Sequence, residues 1–235
     1  IFAATADEES GSGLGLIPLL ERKILKADAA VVLDADDFEI VITQKGLMHL
    51  TVIVHGKKAH GAYPWLGINA IDLAAKIITD LKKQHPAHIK NKYLHGPTVN
   101  VGTIKGGDKV NVVSDWCEFE LDFRFLPGTS QQELLRALKK TIRRYTPNYQ
   151  IRIQGIQAPY SIEPGHYLVS SLAGAMENLK IIPRLSGSEG ATVITFFKQR
   201  NIPAVATGFG TEGCAHIADE YADLDNLYKG AQVLA

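Results

Sequence analysis

Cys117-Glu118-Phe119-Glu120-Leu121-Asp122-Phe123-Arg124-Phe125 alternates apolar and charged side chains at every position. Successive side chains on a strand point to opposite faces, so this pattern predicts a half-buried β-strand. Its apolar face is Cys117, Phe119, Leu121, Phe123 and Phe125; its polar face is Glu118, Glu120, Asp122 and Arg124. Upstream, Leu47 to His55 alternates in the same way, with Met48, Leu50, Val52 and Val54 on one side and His49, Thr51 and His55 on the other. A helix is expected near Asn69–Lys83, with Ile71, Ala74, Ala75, Ile78 and Leu81 on one face and His85-Pro86 as its stop. Thr98–Ile104 reads as a strand, and Gly106-Gly107-Asp108 as a hairpin turn. Downstream, Ser130 and Glu133 form a capping-box pattern ahead of Leu134, Leu138 and Ile142, and Tyr149, Ile151 and Ile153 make a closing strand.

The order over about residues 47–157 is therefore strand, helix, strand, strand, helix, strand, the split βαβ arrangement of ferredoxin-like domains. The flanks read differently. Ala29–Leu33 and Ala204–Gly208 are short apolar runs without alternation, as in strands of a parallel sheet covered on both faces. Helices are expected near Gly13–Leu20, Tyr167–Asn178 and Ala191–Gln199. The expected fold class is α/β: a split α/β domain with a mostly parallel sheet, residues 1–44 and 158–235, interrupted by an inserted α+β domain, residues 45–157. Ile1-Phe2-Ala3-Ala4-Thr5-Ala6 reads as a buried strand already under way, which makes the sheet incomplete and the chain a fragment whose N-terminal portion is missing.

The 235 residues carry 25 Lys+Arg against 25 Asp+Glu, so no basic excess exists to release phosphate counterions, and binding nucleic acid through bulk charge is not expected. Hydrophobic residues make up 46%, which argues against a disordered chain. Two cysteines, Cys117 and Cys214, do not make a disulfide scaffold. No apolar run approaches the roughly 20 residues of a membrane span. With no signal peptide visible, a soluble, cytoplasmic protein is the expectation.

Asp7-Glu8-Glu9 puts three carboxylates at the end of an apolar run. In open α/β sheets that end faces ligands, and a divalent cation would offset the mutual repulsion. The plainer alternative is a solvated acidic turn feeding a helix. The following Gly11-x-Gly13-x-Gly15 lacks the spacing of a dinucleotide fingerprint or a P-loop, and reads as a tight strand-to-helix turn. Asp34 also sits where an apolar strand ends, as ligand or turn former, with Asp36 close by. His216 lies in a glycine-rich loop, with Glu220 four residues on to orient it or to cap the next helix. His60 ends a strand region of the inserted domain, before Gly67-Ile68-Asn69-Ala70. Asn100 and Arg124 lie on polar strand faces, where Arg124 can pair with Glu120 or Asp122. His49, His55, His85, His88, His95 and His166 are read as surface or packing residues.

The set resembles the M20 family of dinuclear zinc metallopeptidases and deacylases, which includes carboxypeptidase G2, acetylornithine deacetylase, succinyl-diaminopimelate desuccinylase and aminoacylase. The matching stretches are Thr5–Glu9, Gly56–His60 with Gly67–Ala70, Val99–Gly107, Asp122-Phe123-Arg124, and His216 through Glu220-Tyr221, in family order. The resemblance implies a catalytic α/β domain and a ferredoxin-like lid that mediates dimerisation. It implies that Glu8 is the general base for a bridging water and that Glu9 and His216 bind one zinc. Asp34 would bind the second zinc, with Asp36 as the fallback. His60 would reach the partner's active site to stabilise the oxyanion. Asn100, Arg124 and Arg184 would bind substrate. It implies Zn2+, two per site in the complete protein, with Co2+ or Mn2+ possible, and a homodimer acting on an N-acyl amino acid or small peptide. The family's upstream His-x-Asp and its metal-bridging Asp have no match here, so this exact chain is expected to bind metal poorly. The alternative is an inactive fragment serving as a dimerisation or binding module. The family's Gly-Thr-Asp-Ala is here Ser188-Glu189-Gly190-Ala191.

Overall fold

The computed structural model describes residues 1–84, 88–211, 213–214 and 217–235. The chain divides into two compact units, Ile1–Lys45 with Pro159–Ala235, and Gly46–Ala158.

The inserted unit contains β3 (Gly46–His55), β4 (Ala59–His60), α2 (Ala70–Lys82), β5 (Thr98–Gly106), β6 (Val112–Val113), β7 (Trp116–Phe125), α3 (Gln131–Arg143) and β8 (Tyr149–Gln157). The four long strands form an antiparallel sheet in the order β5-β7-β3-β8, while β4 and β6 pair separately. Strand β7 alternates half-buried and buried along its whole length. Its apolar face joins Met48, Leu50, Val52 and Val54 of β3, and α2 and α3 cover both. Each fully buried Leu or Phe there contributes roughly 1.5–3 kcal/mol.

The buried stripe of α2 is Ala70, Ala74, Ile77 and Leu81; of the expected face, Ala74 and Leu81 are buried, whereas Ile71, Ala75 and Ile78 lie off the stripe. Ile71 instead lies over Gly106 and Gly107, where an added Cβ would meet its Cγ1 and Cδ1. Asn69 caps this helix, accepting from the Ile71 N–H at 2.9 Å. The helix ends at Lys82, and the expected stop at His85-Pro86 lies outside the described residues. Ser130 occupies the N-cap of α3, yet its hydroxyl makes no capping bond. Its carbonyl takes the Glu133 N–H, so the capping-box reading does not hold. Gly107 takes a positive φ of 75° after β5, but the link to β7 runs through β6 and is not a tight hairpin.

The other unit contains α1 (Leu16–Glu21), β1 (Ala30–Leu33), β2 (Glu39–Gln44), β9 (Tyr160–Ser161), α4 (Tyr167–Asn178), β10 (Arg184–Ser188), α5 (Ile194–Lys198), β11 (Ala204–Thr207) and α6 (Leu224–Leu234). Its sheet runs β1-β11-β2-β10, with β9 on β2. The β1–β11 and β10–β2 pairs are parallel; β11–β2 and β2–β9 are antiparallel. The architecture is thus a mixed α/β sheet domain carrying an α+β insertion. Strand β11 is buried throughout, whereas β1 is only half-buried.

Residues 1–6 do not form the buried strand expected of them. They pair with no strand and are exposed, Ile1 at 99% and Phe2 at 86%. Without a ladder partner, backbone groups of an apolar run have nothing to hold them extended. Helices α1 and α5 are shorter than the expected Gly13–Leu20 and Ala191–Gln199. Among the described residues no helix is long and apolar enough to cross a membrane.

Candidate active site

Within the split unit, the turn after β1 and the loop after β11 are zipped together. Asp34 N–H donates to the Thr207 carbonyl at 2.9 Å, Asp37 N–H to Gly210 at 3.0 Å, and Phe38 N–H to Gly208 at 2.9 Å. Asp36 and Gly210 form a parallel bridge. The contact is so close that a Cβ on Gly208 would fall 1.4 Å from the Ala35 carbonyl oxygen. Arg184, first residue of β10 and in register with Glu39, reaches the same turn. Its Nη2 donates to the Asp37 carbonyl at 3.4 Å and lies 3.7 Å from Glu39 Oε1. The end of this sheet at which β1 and β11 finish and β2 and β10 begin therefore collects Asp34, Asp36 and Arg184.

Ser188, where the stretch that departs from the family's Gly-Thr-Asp-Ala begins, is the last residue of β10, roughly 13 Å from Arg184 along a strand of this length. There Gln44 holds Thr192 on three sides: Oε1 accepts from its N–H and Oγ1–H, and Nε2 donates to its carbonyl. Lys45, 2% exposed, ion-pairs with Glu189 at 2.5 Å.

Asp7 closes the acidic turn. Its Oδ2 accepts from Leu14 N–H at 2.6 Å, its carbonyl accepts from Ser12 N–H at 2.7 Å, and its φ is 70°. The glycine loop is a tight turn, with Gly11 at φ 93° and a Gly15 Cβ excluded by the Ala6 carbonyl 1.9 Å away. Glu8 and Glu9 are exposed, as is Asp34. Carboxylates and imidazole are the right donors for a divalent cation. Among the described residues, however, no three His, Cys, Asp or Glu side chains gather as a cation site, and His216 lies outside those residues. Glu220 is not the cap of α6; Asp223 is, accepting from Asn226 N–H at 3.0 Å.

In the inserted unit, register places Asp122 opposite both Asn100 and His49 across three strands. Arg124 donates to it from Nε (2.8 Å) and Nη2 (3.0 Å), and His49 Nε2 lies 3.6 Å from Asp122 Oδ1. His49 thus has an acidic neighbour that sequence spacing hid. The next carboxylate, Glu120, accepts from Gln154 and Thr103, both at 2.8 Å, and these bonds hold it below the usual carboxylate range. His60 stands in the β4–β6 ribbon, exposed, with Nδ1 accepting the Ala62 N–H at 3.0 Å. An accepting Nδ1 leaves Nε2 as the N–H donor of the neutral ring. Exposed apolar side chains follow it: Tyr63, Trp65, Leu66 and Ile68, with Trp65 at 73%. His166, read as packing, caps α4 by accepting the Leu168 N–H at 3.2 Å.

Residues 42–150 match the M20 peptidase dimerisation domain. The chain is 28% identical to the acetylornithine deacetylase of Pasteurella multocida, over 99% of this chain and 62% of that protein. The Pectobacterium carotovorum acetylornithine deacetylase is 28% identical, over 94% of this chain and 58% of that protein. In fold, the chain resembles aminopeptidase PepT of Bacillus cereus, with a TM-score of 0.82 at 24% identity over 98% of this chain and 61% of that one. It also resembles an M20 family metallo-carboxypeptidase of Sulfolobus solfataricus, with a TM-score of 0.75 at 20% identity over 97% of this chain and 67% of that one. The chain spans about 60% of the length of the curated relatives it matches.

Proposed function

We propose that this chain, which belongs to the M20 family and carries its dimerisation domain at residues 42–150, is part of a metal-dependent hydrolase that cleaves the amide bond of an N-acyl amino acid or small peptide. The observation that carries this reading is a likeness running along 94–99% of the chain to proteins named acetylornithine deacetylase. Glu9, Asp34 and His216 would hold the metal, zinc in the first instance. A divalent ion so bound supplies polarisation of the amide carbonyl and acidification of water. Glu8 accepts the proton of the attacking water and returns it to the leaving amine. His60, with Nε2–H free to donate, stabilises the developing oxyanion from a partner protomer. Asn100, Arg124 and Arg184 bind substrate, the guanidinium groups matching a carboxylate. The exposed Tyr63, Trp65, Leu66 and Ile68 beside His60 support a homodimer contact there.

The test is hydrolysis of a panel of N-acyl amino acids and dipeptides by the encoded protein, with zinc, cobalt or manganese. Metal-dependent turnover that Glu8→Gln abolishes is the expected result. No turnover with any metal, by a protein that binds none, overturns it. A second reading, a dimerisation or binding module without catalysis, is supported by the match of residues 42–150 to a peptidase dimerisation domain. A dimer that is inert under every condition above would establish it.

A further inference from the structure

Helix α3 and strand β8 frame a groove of about 640 Å³ outside the candidate site, lined by Leu135, Lys139, Arg143, Tyr149, Ile151 and Ile153. Its floor is apolar and Ile153 is 50% exposed. Its rim is cationic, and the cations continue around α3 through Arg136, Lys140 and Arg144. These side chains recur at i, i+3, i+4 and i+7, so like charges stand beside one another on the helix surface, which is unfavourable. Cations in the last turn suit the helix dipole, but that accounts for Lys140 and Arg143 alone. Among the described residues Arg144 alone has a carboxylate partner, Asp80 at 3.1 Å, and Lys139, Lys140 and Arg143 have none within 4.0 Å. Among the described residues strand β8 is an edge of its sheet, paired with β3 alone, so its outer backbone donors and acceptors face no other strand.

Open edge, apolar floor and cationic rim together match one kind of occupant. We propose that this groove receives an extended acidic polypeptide segment that adds as a strand to β8. Its main chain pairs with the residues 149–153 edge, its apolar side chains cover Ile151 and Ile153, and its carboxylates meet Lys139 and Arg143. A second copy joined edge to edge through a two-fold axis would bring two cationic rows together, which disfavours it. Nucleic acid would leave the apolar floor unused, and the balanced charge of the chain, 25 against 25, supplies no wider basic field.

The probe is a fluorescently labelled alternating Glu/Val octapeptide, titrated into the whole chain by fluorescence polarisation, with amide hydrogen exchange read on residues 149–153. The expected result is saturable binding that protects those amides, weakens with salt, and falls at least tenfold in Lys139→Glu/Arg143→Glu. Both positions are exposed, so the double variant keeps its fold, which circular dichroism checks. Absence of binding, binding without protection of 149–153, equal binding of an alternating Lys/Val peptide, or equally tight displacement by a single-stranded oligonucleotide would each overturn the proposal. So would a change of oligomeric state in the double variant, which would assign the groove to a second copy. None of these readouts depends on hydrolytic activity.

Discussion

Arg124 grips Asp122 by two parallel hydrogen bonds, Nε to Oδ1 and Nη2 to Oδ2, from two positions along the same face of one strand. Both side chains are less than one-third exposed, so the pair is partly shielded from screening. The pairing aligns the guanidinium and leaves Nη1 available to a ligand. If Arg124 receives a substrate carboxylate, Arg124→Ala raises KM by one to two orders of magnitude with little change in kcat. Arg124→Lys recovers only part of the loss, because an ammonium lacks the fork. The same substitution costs about 1 kcal/mol of stability, read by urea unfolding. A drop in kcat at constant KM would remove Arg124 from substrate binding.

Gln44 is fully buried and makes three hydrogen bonds to Thr192. Gln44→Ala leaves the buried Thr192 N–H and carbonyl without those partners, at a cost of about 2–3 kcal/mol. Thermal or urea unfolding measures this directly. A loss below about 0.5 kcal/mol would mean that water or a shifted side chain replaces the amide.

The parts of this fold that were legible in the sequence are those in which one face meets water. Strands β3 and β7 announce themselves because Met48, Leu50, Val52 and Val54, and the Cys117-to-Phe125 series, alternate with polar groups. Strand β2 went unread because Ile40-Val41-Ile42 is buried on both sides and carries no period. The phase of α2 is ambiguous in the sequence because apolar residues occupy more than one face, and only the packing of Ala70, Ala74, Ile77 and Leu81 into the core shows which one turns inward. Residues 1–6 have the composition of a core strand but pair with no strand among the described residues. Single site residues were legible as types, whereas their associations were not. The approach of His49 to Asp122 follows from the β3–β7 register, which long-range pairing sets.

Gly208 is a steric requirement of the Asp34–Asp37 turn. A Cβ there would overlap the Ala35 carbonyl, so the backbone must move. Gly208→Ala is expected to cost about 4 kcal/mol or more and to lower soluble yield, since the zipped segments 34–38 and 207–210 must part. Gly155→Ala, where nothing lies within 4 Å of the added Cβ, is the control on the inserted unit. Equal stability of the two variants would refute the close approach.

Glu120 offers a pH test. Its carboxyl lies below the ordinary range because Gln154 and then Thr103 donate to the charged form. A depressed acid favours the folded state above its unfolded pKa, and that contribution fades as pH falls through the folded value. Gln154→Leu removes the larger cause, so the Glu120 titration moves back up toward an ordinary glutamate, and Thr103→Val moves it by less. Carboxyl-carbon NMR titration resolves both shifts. The unfolding midpoint of Gln154→Leu is then lower near neutral pH and falls by less on acidification than that of the parent chain, because part of the Glu120 contribution is already gone. An unchanged Glu120 titration in that variant would show that these donors do not hold the carboxylate, and that the polar face of the sheet is organised by solvent instead.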